Sequence, residues 1–442
     1  MTTLPNIDFK QYRETIRKAQ VYLIKGKVKE LAGLIVKAVV PNVRVGELCF
    51  IHVQNLDKYL KAEVVGFKDN DVLLMPLGDL EGIGPGNEVL PTGDCLKVPV
   101  GEQLLGRVLN GLGEAVDVDS KGEMNSTEFY PVHNTPPDPL TRRRITKPIS
   151  VGVKAIDAML TTGEGQRVGV FAAAGVGKST LMGMIARNTE AEINVICLVG
   201  ERGRELRDFL ETDLGEEGLK RSIVICSTSD QPSLVRAKAA YVATAIAEYF
   251  RDQGKKVLFM MDSVTRFARA LREIGLAVGE PPARQGFTPS VFSTLPKLLE
   301  RTGNSDKGSI TAFYTVLVEG DDMNEPVADE VRSILDGHIV MSRDLANQAH
   351  FPAINVAESV SRVMTNIISE DHQHASMKLK EVYANYEKER DLILIGAYES
   401  GSNPAVDYAI EMIDEVNSFL KQPTDEKIDL VDSVDQLIAL FD

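Results

Sequence analysis

The chemistry that this sequence supports best is phosphate binding, by the run Ala172-Ala173-Ala174-Gly175-Val176-Gly177-Lys178-Ser179-Thr180. An apolar stretch at 168–171 precedes the turn and apolar residues at 181–185 follow it, so the predicted order is strand, turn and helix. In that order the N–H groups of the turn and the positive end of the helix dipole converge on an anion. Lys178 would then reach the β- and γ-phosphates of a nucleotide, and the Ser179 hydroxyl would bind Mg²⁺.

One position of this run departs from the usual phosphate-loop pattern G-x-x-x-x-G-K-S/T, because Ala172 stands where the first glycine is expected. Alanine is compatible with that position if its φ angle is negative. The alternative is a flexible turn with a chance Lys-Ser pair, and the flanking strand and helix favour the phosphate loop over it. We therefore predict that the nucleotide-binding residues include Ala173, Ala174, Gly175, Val176, Gly177, Lys178, Ser179 and Thr180.

Two carboxylates stand at the ends of other predicted strands. Asp262 follows the apolar stretch 256–261, and Glu201 follows the apolar stretch 193–199. Proteins with a parallel sheet bind ligands at the carboxyl ends of the strands, so both side chains are expected beside the phosphate loop. There Asp262 would help to hold Mg²⁺, and Glu201 would activate or orient the attacking water. The alternatives are a helix N-cap for Asp262 and a surface carboxylate for Glu201.

The elements that position these residues follow from the pattern of the chain. From residue 150 onward strands and helices alternate, with strands at 168–171, 193–199, 222–226 and 256–261, which predicts a mostly parallel sheet with helices on both faces. Short β signals at 21–24, 34–36, 48–53, 62–65 and 72–75 predict a small antiparallel barrel. Apolar residues at helical spacing in 377–386 and 405–416, separated by Gly401-Ser402-Asn403-Pro404, predict a helical end.

These elements give five predicted segments. They are an N-terminal segment at 1–20, a barrel at 21–98, a connection at 99–148, an ATPase core at 149–362 and a helical domain at 363–442. Prolines are frequent from 131 to 148, which indicates a stiff connection rather than a packed element. His372 and His374 stand two apart beside acidic residues, and we interpret them as part of a polar loop rather than as metal ligands.

Composition limits the function classes. With 43% hydrophobic and 26% charged residues the 442-residue chain is typical of a globular protein. Its net charge of −15 argues against a generic nucleic-acid binder. Four distant cysteines predict reduced thiols in a cytosolic protein, and neither a signal peptide nor a transmembrane segment is expected. Basic residues within 1–20 would attract an anionic membrane surface by ~1 kcal/mol each, or form a solvated terminus.

The order of the phosphate loop, Gly200-Glu201-Arg202-Gly203-Arg204-Glu205 and Asp262 resembles the catalytic ATPases of the rotary F-type and V-type family. The stretch from Phe351 to Arg362 contains Pro-Ala-Ile-Asn followed by Ser-Val-Ser and strengthens this resemblance. Within that family the chain is most similar to the ATPase of type III protein secretion, on the segments 262–268, 280–292, 308–317 and 335–340. The segments 213–219 and 247–255 favour an injectisome member over a flagellar one.

The resemblance implies a RecA-like P-loop NTPase core of α/β class, with an N-terminal antiparallel β-barrel and a C-terminal helical domain. It also implies a homohexameric ring with ATP sites between neighbouring subunits. Glu201 would be the catalytic carboxylate, Arg202 would face the phosphates and Phe351 would stack on the adenine. Arg362 would be an arginine finger that enters the next subunit's site. The alternatives are a core position for Phe351 and a structural ion pair for Arg362.

The implied function is ATP hydrolysis, with Mg²⁺, that releases chaperones and unfolds exported proteins. Partners would be chaperone–effector complexes, stalk and stator proteins and the export gate, at the cytoplasmic face of the inner membrane. A rotary ATP synthase or V-type subunit is an alternative, although the chain lacks an Asp-Glu-Leu-Ser-Glu-Glu-Asp segment and a long V-type insertion. A third hypothesis is an RNA-translocating ring of the Rho class. The net charge and the lack of an aromatic and basic RNA platform in 21–98 argue against it.

Overall fold

The computed structural model describes residues 24–318 and 322–442. The predicted N-terminal segment at 1–20 and most of the predicted strand at 21–24 lie outside these residues. The described residues divide into two compact units, of which one ends at Cys95 and the other begins at Leu96.

The first unit is a closed six-stranded barrel, which confirms the predicted architecture. Its strands are β1 (Gly26–Ala32), β2 (Ile35–Val39), β3 (Glu47–Val53), β4 (Lys58–Lys68), β5 (Asp71–Pro76) and β6 (Glu88–Cys95). All neighbours are antiparallel in the order β1-β2-β5-β4-β3-β6, and pairing of β1 with β6 closes the ring. Alternate residues of β3 are buried inside the barrel, as expected for strands with one face on a core.

The second unit contains one large sheet and one two-stranded sheet. Its strands are β7 (Lys97–Val100), β8 (Val108–Asn110), β9 (Glu128–Pro131), β10 (Arg167–Ala172), β11 (Ile193–Glu201), β12 (Ser222–Thr228), β13 (Lys256–Asp262), β14 (Gly303–Asn304), β15 (Ser309–Leu317), β16 (Gly337–Met341) and β17 (Ile354–Ser361). The main order is β17-β16-β10-β15-β13-β11-β12-β8. Its pairs are parallel except β16–β17, while β14 pairs with β15 antiparallel. The four strands predicted after residue 150 are confirmed.

Helices cover the sheet and form the C-terminal region. They are α1 (Val118–Lys121), α2 (Lys154–Met159), α3 (Lys178–Asn188), α4 (Gly203–Asp208), α5 (Gly215–Lys220), α6 (Ser233–Asp252), α7 (Val264–Ala277), α8 (Pro289–Leu299), α9 (Pro326–Ile334), α10 (Arg343–Asn347), α11 (Glu370–Leu394), α12 (Pro404–Leu420) and α13 (Leu430–Ala439). The predicted break between the last long helices is confirmed, since the Asn403 side chain caps α12 by accepting from the Ala405 N–H at 3.1 Å. Among the described residues no helix is long and apolar enough to cross a membrane.

The segment predicted as a connection is an integral part of the second unit. Its strand β8 extends the large sheet beside β12, and β7 pairs with β9. Arg142 and Arg143 donate to the carbonyls of Thr302 and Ser305 at 2.8 and 2.9 Å. The prediction from the prolines that this segment is not a packed element is wrong, because long-range hydrogen bonds that its sequence does not reveal attach it.

His372 and His374 lie in α11, so the predicted polar loop is wrong at this point. The His372 ring is buried, and its Nε2 lies 2.6 Å from the Ala158 carbonyl oxygen. Ser369 caps the helix by accepting from the His372 N–H, which is why an acidic and polar stretch is helical here. Within the described ranges no group of three or more His, Cys, Asp or Glu side chains is arranged to hold a metal.

Candidate nucleotide site

The phosphate loop joins β10 to α3 at the carboxyl edge of the sheet. Gly175 and Gly177 have φ angles of +82° and +88°, in the left-handed region that glycine enters without strain. Ala172 is the last residue of the extended strand β10, so its methyl group meets no such restriction. The loop therefore has the strand, turn and helix order on which phosphate binding depends, and Lys178 opens the helix.

Lys178 of this loop and the two carboxylates predicted from strand ends lie close together. The Lys178 ammonium forms an ion pair with the Asp262 carboxylate, and its Nζ lies 3.8 Å from Glu201 Oε1. The Thr315 hydroxyl, on the adjacent strand β15, donates to Asp262 Oδ1 at 2.8 Å. Strands β10, β11, β13 and β15 are neighbours in the sheet, and this adjacency brings the groups together.

The two alternatives considered for the carboxylates do not fit this geometry. The N-cap of α7 is Ser263, whose hydroxyl accepts from the Arg266 N–H at 3.3 Å, so Asp262 is not the cap. Glu201 is only 8% exposed, so it is not a surface carboxylate. Both acids are buried groups directed at the same lysine.

Arg266 is a site residue that the sequence analysis missed. Its guanidinium donates to Glu201 Oε2 at 3.2 Å and to the Gly200 carbonyl oxygen. One signal was available, because Arg266 falls in the first turn of the helix that follows β13. The first turn of such a helix lies at the carboxyl edge of the sheet, where Glu201 was already expected.

The electrostatics of Glu201 suit proton transfer near neutral pH. Burial is the main cause that raises the pKa of Glu201 to about 7, and the Asp262 carboxylate raises it further. The positive charges of Lys178 and Arg266 oppose that shift without cancelling it. Within the described part of the chain, Glu201 Oε1 is buried and has no hydrogen-bond partner. A carboxylate with this pKa and a free oxygen is well suited to accept a proton from water.

Phe351 lies beside the phosphate loop and is not part of the core. Its side chain is 44% exposed, and its ring carbons Cε1 and Cδ1 lie 3.8 and 3.9 Å from the point where a Cβ on Gly177 would stand. Ser179 is exposed in the first turn of α3. An exposed aromatic face next to a phosphate loop provides a surface on which a flat base can stack.

Two predicted arginines are not brought into this site. Arg202 is mostly exposed, and its guanidinium lies 3.5 Å from Glu205. Arg362 follows β17, and its backbone N–H donates to the Asp336 carbonyl oxygen, one residue before β16 begins. Met341, at the other end of β16, pairs with Ala172, so Arg362 and the phosphate loop are separated by about 16 Å along the strands.

The side chain of Arg362 does not fit the structural ion pair considered for it. Its Nη2 donates to the Arg332 carbonyl oxygen at 3.2 Å, which is a bond to a backbone group and not to a carboxylate. The guanidinium is exposed and lies at the amino end of the parallel strands.

The residues present fit a Mg²⁺–nucleotide complex. Ser179 and Asp262 offer a hydroxyl and a carboxylate oxygen, which are the donor types that Mg²⁺ prefers. Lys178 supplies a positive charge at the start of a helix, and the loop N–H groups add to it. The site combines phosphate binding, oxygen donors and a proton acceptor within one chain.

Three protein-family models match successive parts of the chain. The nucleotide-binding domain of the ATP synthase alpha/beta family matches residues 152–361, and the β-barrel domain of that family matches residues 28–93. The C-terminal domain of the type 3 secretion system ATPase EscN matches residues 368–439. The matched order is barrel, nucleotide-binding domain and helical domain, as in the structure.

Curated relatives and solved structures agree with these models. A flagellum-specific ATP synthase of Bacillus subtilis is 54% identical over 97% of both chains. A type 3 secretion system ATPase of Xanthomonas euvesicatoria is 51% identical over 94% of both chains. The assembled ATPase EscN of the enteropathogenic Escherichia coli type III secretion system superposes with a TM-score of 0.89 at 46% identity, over 94% of this chain and 99% of that one. EscN in complex with its central stalk EscO gives a TM-score of 0.87.

Proposed function

This chain belongs to the ATP synthase alpha/beta family, among the type 3 secretion and flagellum-specific ATPases, and from that premise we propose that it hydrolyses ATP to drive type III protein export as a homohexameric ring. One observation carries the hydrolytic part of the proposal. A buried carboxylate with a raised pKa, Glu201, lies beside the phosphate-loop lysine and the strand-end Asp262.

In the proposed reaction a water oxygen bonds to the γ-phosphorus as the bond to the β–γ bridging oxygen breaks, so that ADP leaves. Glu201 accepts the proton that the water loses. Arg266 holds one oxygen of Glu201, so the unpaired Oε1 is directed to the water. Lys178 and the loop N–H groups stabilise the negative charge of the β- and γ-phosphates.

Ser179 and Asp262 are the residues that would hold Mg²⁺. When bound, Mg²⁺ neutralises charge on the β- and γ-phosphate oxygens. In the described structure Lys178 is paired with Asp262, and a nucleotide would offer this lysine a phosphate partner instead. Phe351 stacks on the adenine in this proposal, beside Gly177.

We propose a ring because a single chain does not bring all the predicted groups to its own nucleotide site. Arg362 lies about 16 Å along the strands from its own phosphate loop, and its guanidinium donates to the backbone carbonyl of Arg332. We propose that it enters the site of the neighbouring subunit, where an arginine supplied in trans is worth ~10³–10⁵ in rate. Arg202, exposed beside Glu201, would face the phosphates in the assembled site. The similarity to the assembled EscN supports this arrangement.

We further propose chaperone–effector complexes, stalk and stator proteins and the export gate as partners, at the cytoplasmic face of the inner membrane. The complex of EscN with EscO supports the stalk. A flagellar export role is the second candidate, because the flagellum-specific relative is 54% identical. Pulldown from the native cell separates the two, because a flagellar export ATPase should retrieve flagellar proteins, whereas an injectisome ATPase should retrieve effectors and their chaperones.

The shared site is tested by mixing two inactive variants. Arg362→Ala lacks the finger and Glu201→Gln lacks the proton acceptor, so each alone should release phosphate at a small fraction of the parent rate. A mixed ring contains some interfaces with an intact Glu201 and an intact Arg362, and phosphate release should return in part. Arg362→Ala activity equal to that of the parent protein, independent of protein concentration, would show that the site is complete within one chain.

A further inference from the structure

Gln422 lies just beyond the end of α12, and its side chain is only 3% exposed. Its amide is fixed at three points. The oxygen accepts from the Lys154 N–H at 2.7 Å, and the nitrogen donates to the carbonyl oxygens of Gly152 and Glu426 at 3.0 and 3.1 Å. A buried amide with this many partners has one orientation, because every other orientation leaves polar groups unpaired.

The backbone of the same residue contacts the nucleotide site. The Gln422 N–H donates to the Phe351 carbonyl oxygen at 3.0 Å. On the other side of this segment, the N–H of His350 donates to the Leu345 carbonyl oxygen at 3.0 Å. The backbone around Phe351 is therefore held by α10, through His350, and by the residues that follow α12, through Gln422.

Neighbouring contacts attach the segment after α12 to the sheet domain as well. The Lys154 ammonium lies 5.5 Å from the centre of the Phe419 ring. At the end of α3, Arg187 donates to the Thr424 carbonyl oxygen at 2.6 Å and Asn188 donates to that of Glu426 at 3.4 Å. Since α3 begins with Lys178, the segment that carries Gln422 contacts both the phosphate-loop helix and Phe351.

From this geometry we infer that Gln422 is a positioning residue that sets nucleotide affinity through Phe351. The inference rests on the proposed function in one respect, the stacking of Phe351 on the base. The side-chain hydrogen bonds of Gln422 fix the residue whose backbone N–H holds the Phe351 carbonyl, so their loss should shift the Phe351 ring.

The chain contains no tryptophan, which makes a clean optical test possible. In Phe351→Trp the single indole reports on the base, and its fluorescence should change as ATP is added to the full-length protein. Adding Gln422→Met, which keeps the length of the side chain but removes its hydrogen bonds, should weaken ATP binding about tenfold. At saturating ATP, kcat should change less than twofold. The control is Gln436→Met, an exposed glutamine of α13, which should leave both unchanged.

A double-mutant cycle distinguishes positioning from a general loss of structure. In a Phe351→Ala background, Gln422→Met should not weaken ATP binding further, as measured by calorimetry. An equal loss in both backgrounds would overturn the inference. If Gln422→Met lowers the melting temperature of the nucleotide-free protein, Gln422→Asn repeats the cycle, because it keeps an amide donor and acceptor on a shorter side chain. If the fluorescence of Phe351→Trp does not change on addition of ATP although calorimetry shows binding, the proposed stacking is wrong. That outcome is independent of the result for Gln422.

Discussion

Two buried charge clusters of this molecule differ in how completely their polar atoms are paired. Glu248 and Arg301 are almost fully buried and joined by two hydrogen bonds, of 2.9 and 2.6 Å. Arg301 also donates to the Val132 carbonyl oxygen, and Asn134 donates to Glu248. In the second cluster Glu201 Oε1 and Arg266 Nε are buried without a hydrogen-bond partner among the described residues.

This difference distinguishes a charge cluster that stabilises the fold from one that belongs to the candidate nucleotide site. A fully paired cluster recovers the cost of burying its charges and holds segments together, here the stretch around 132–134 and helix α6. A cluster with unpaired atoms does not recover that cost from the protein alone, and beside a phosphate loop its unpaired donor and acceptor can be completed by a ligand. Burial of charge by itself therefore does not identify a site.

Lys178→Ala should give the largest functional effect. It removes the cation that pairs with Asp262 and faces Glu201, and ATP turnover should fall on the order of 10³-fold or more. The fold should persist, because Lys178 belongs to the partly paired cluster. Phosphate release and circular dichroism measure the two effects. Turnover near that of the parent in a folded Lys178→Ala protein would break the assignment of this cluster as the active site.

Arg301→Met should show the opposite pattern in the paired cluster. It leaves Glu248 buried without its cation, so the free energy of unfolding should fall by about 3–5 kcal/mol. The kcat of the protein that remains folded should stay close to that of the parent. Denaturant titration and active-site-normalised phosphate release test this. A stable protein with a greatly reduced kcat would show that the comparison between the clusters is wrong.

The smallest effect concerns pH. Because the pKa of Glu201 is raised to about 7 in the nucleotide-free protein, it loses its proton-accepting form as the pH falls, so kcat/KM should drop up to tenfold per pH unit below about 7. The raised pKa also means that the folded protein binds this proton more tightly than the unfolded chain does. Stability from this group is therefore present at low pH and is lost as the pH rises from about 4.5 to 7.

Glu201→Gln provides the matched control for both pH effects. Its residual turnover should no longer show the loss below about 7, and its unfolding free energy should lack the contribution that disappears between pH 4.5 and 7. A pH–rate profile and denaturant titrations at several pH values give the comparison. An unchanged stability profile in Glu201→Gln would mean that another group is responsible for the pH dependence.

Features that depend on the position of a residue along a strand were predictable from the sequence. Glu201 and Asp262 end apolar strands, and the carboxyl ends of parallel strands meet, so their convergence on Lys178 could be expected. Arg266 was missed because its role depends on the guanidinium reaching back across the sheet edge to Gly200 and Glu201. Strand β8 was missed because three residues give no periodicity, and only pairing with β12 makes them a strand.

The separation of Arg362 from the phosphate loop has an arithmetic consequence. In the proposed assembly each copy gives an arginine at one end of its strands and receives one at the other end, so association is head-to-tail. An open row of n copies then completes only n − 1 sites, whereas a closed ring completes all n. Closing the ring adds a catalytic centre without adding a subunit. The rate of ATP hydrolysis per chain therefore reports on whether the ring is closed.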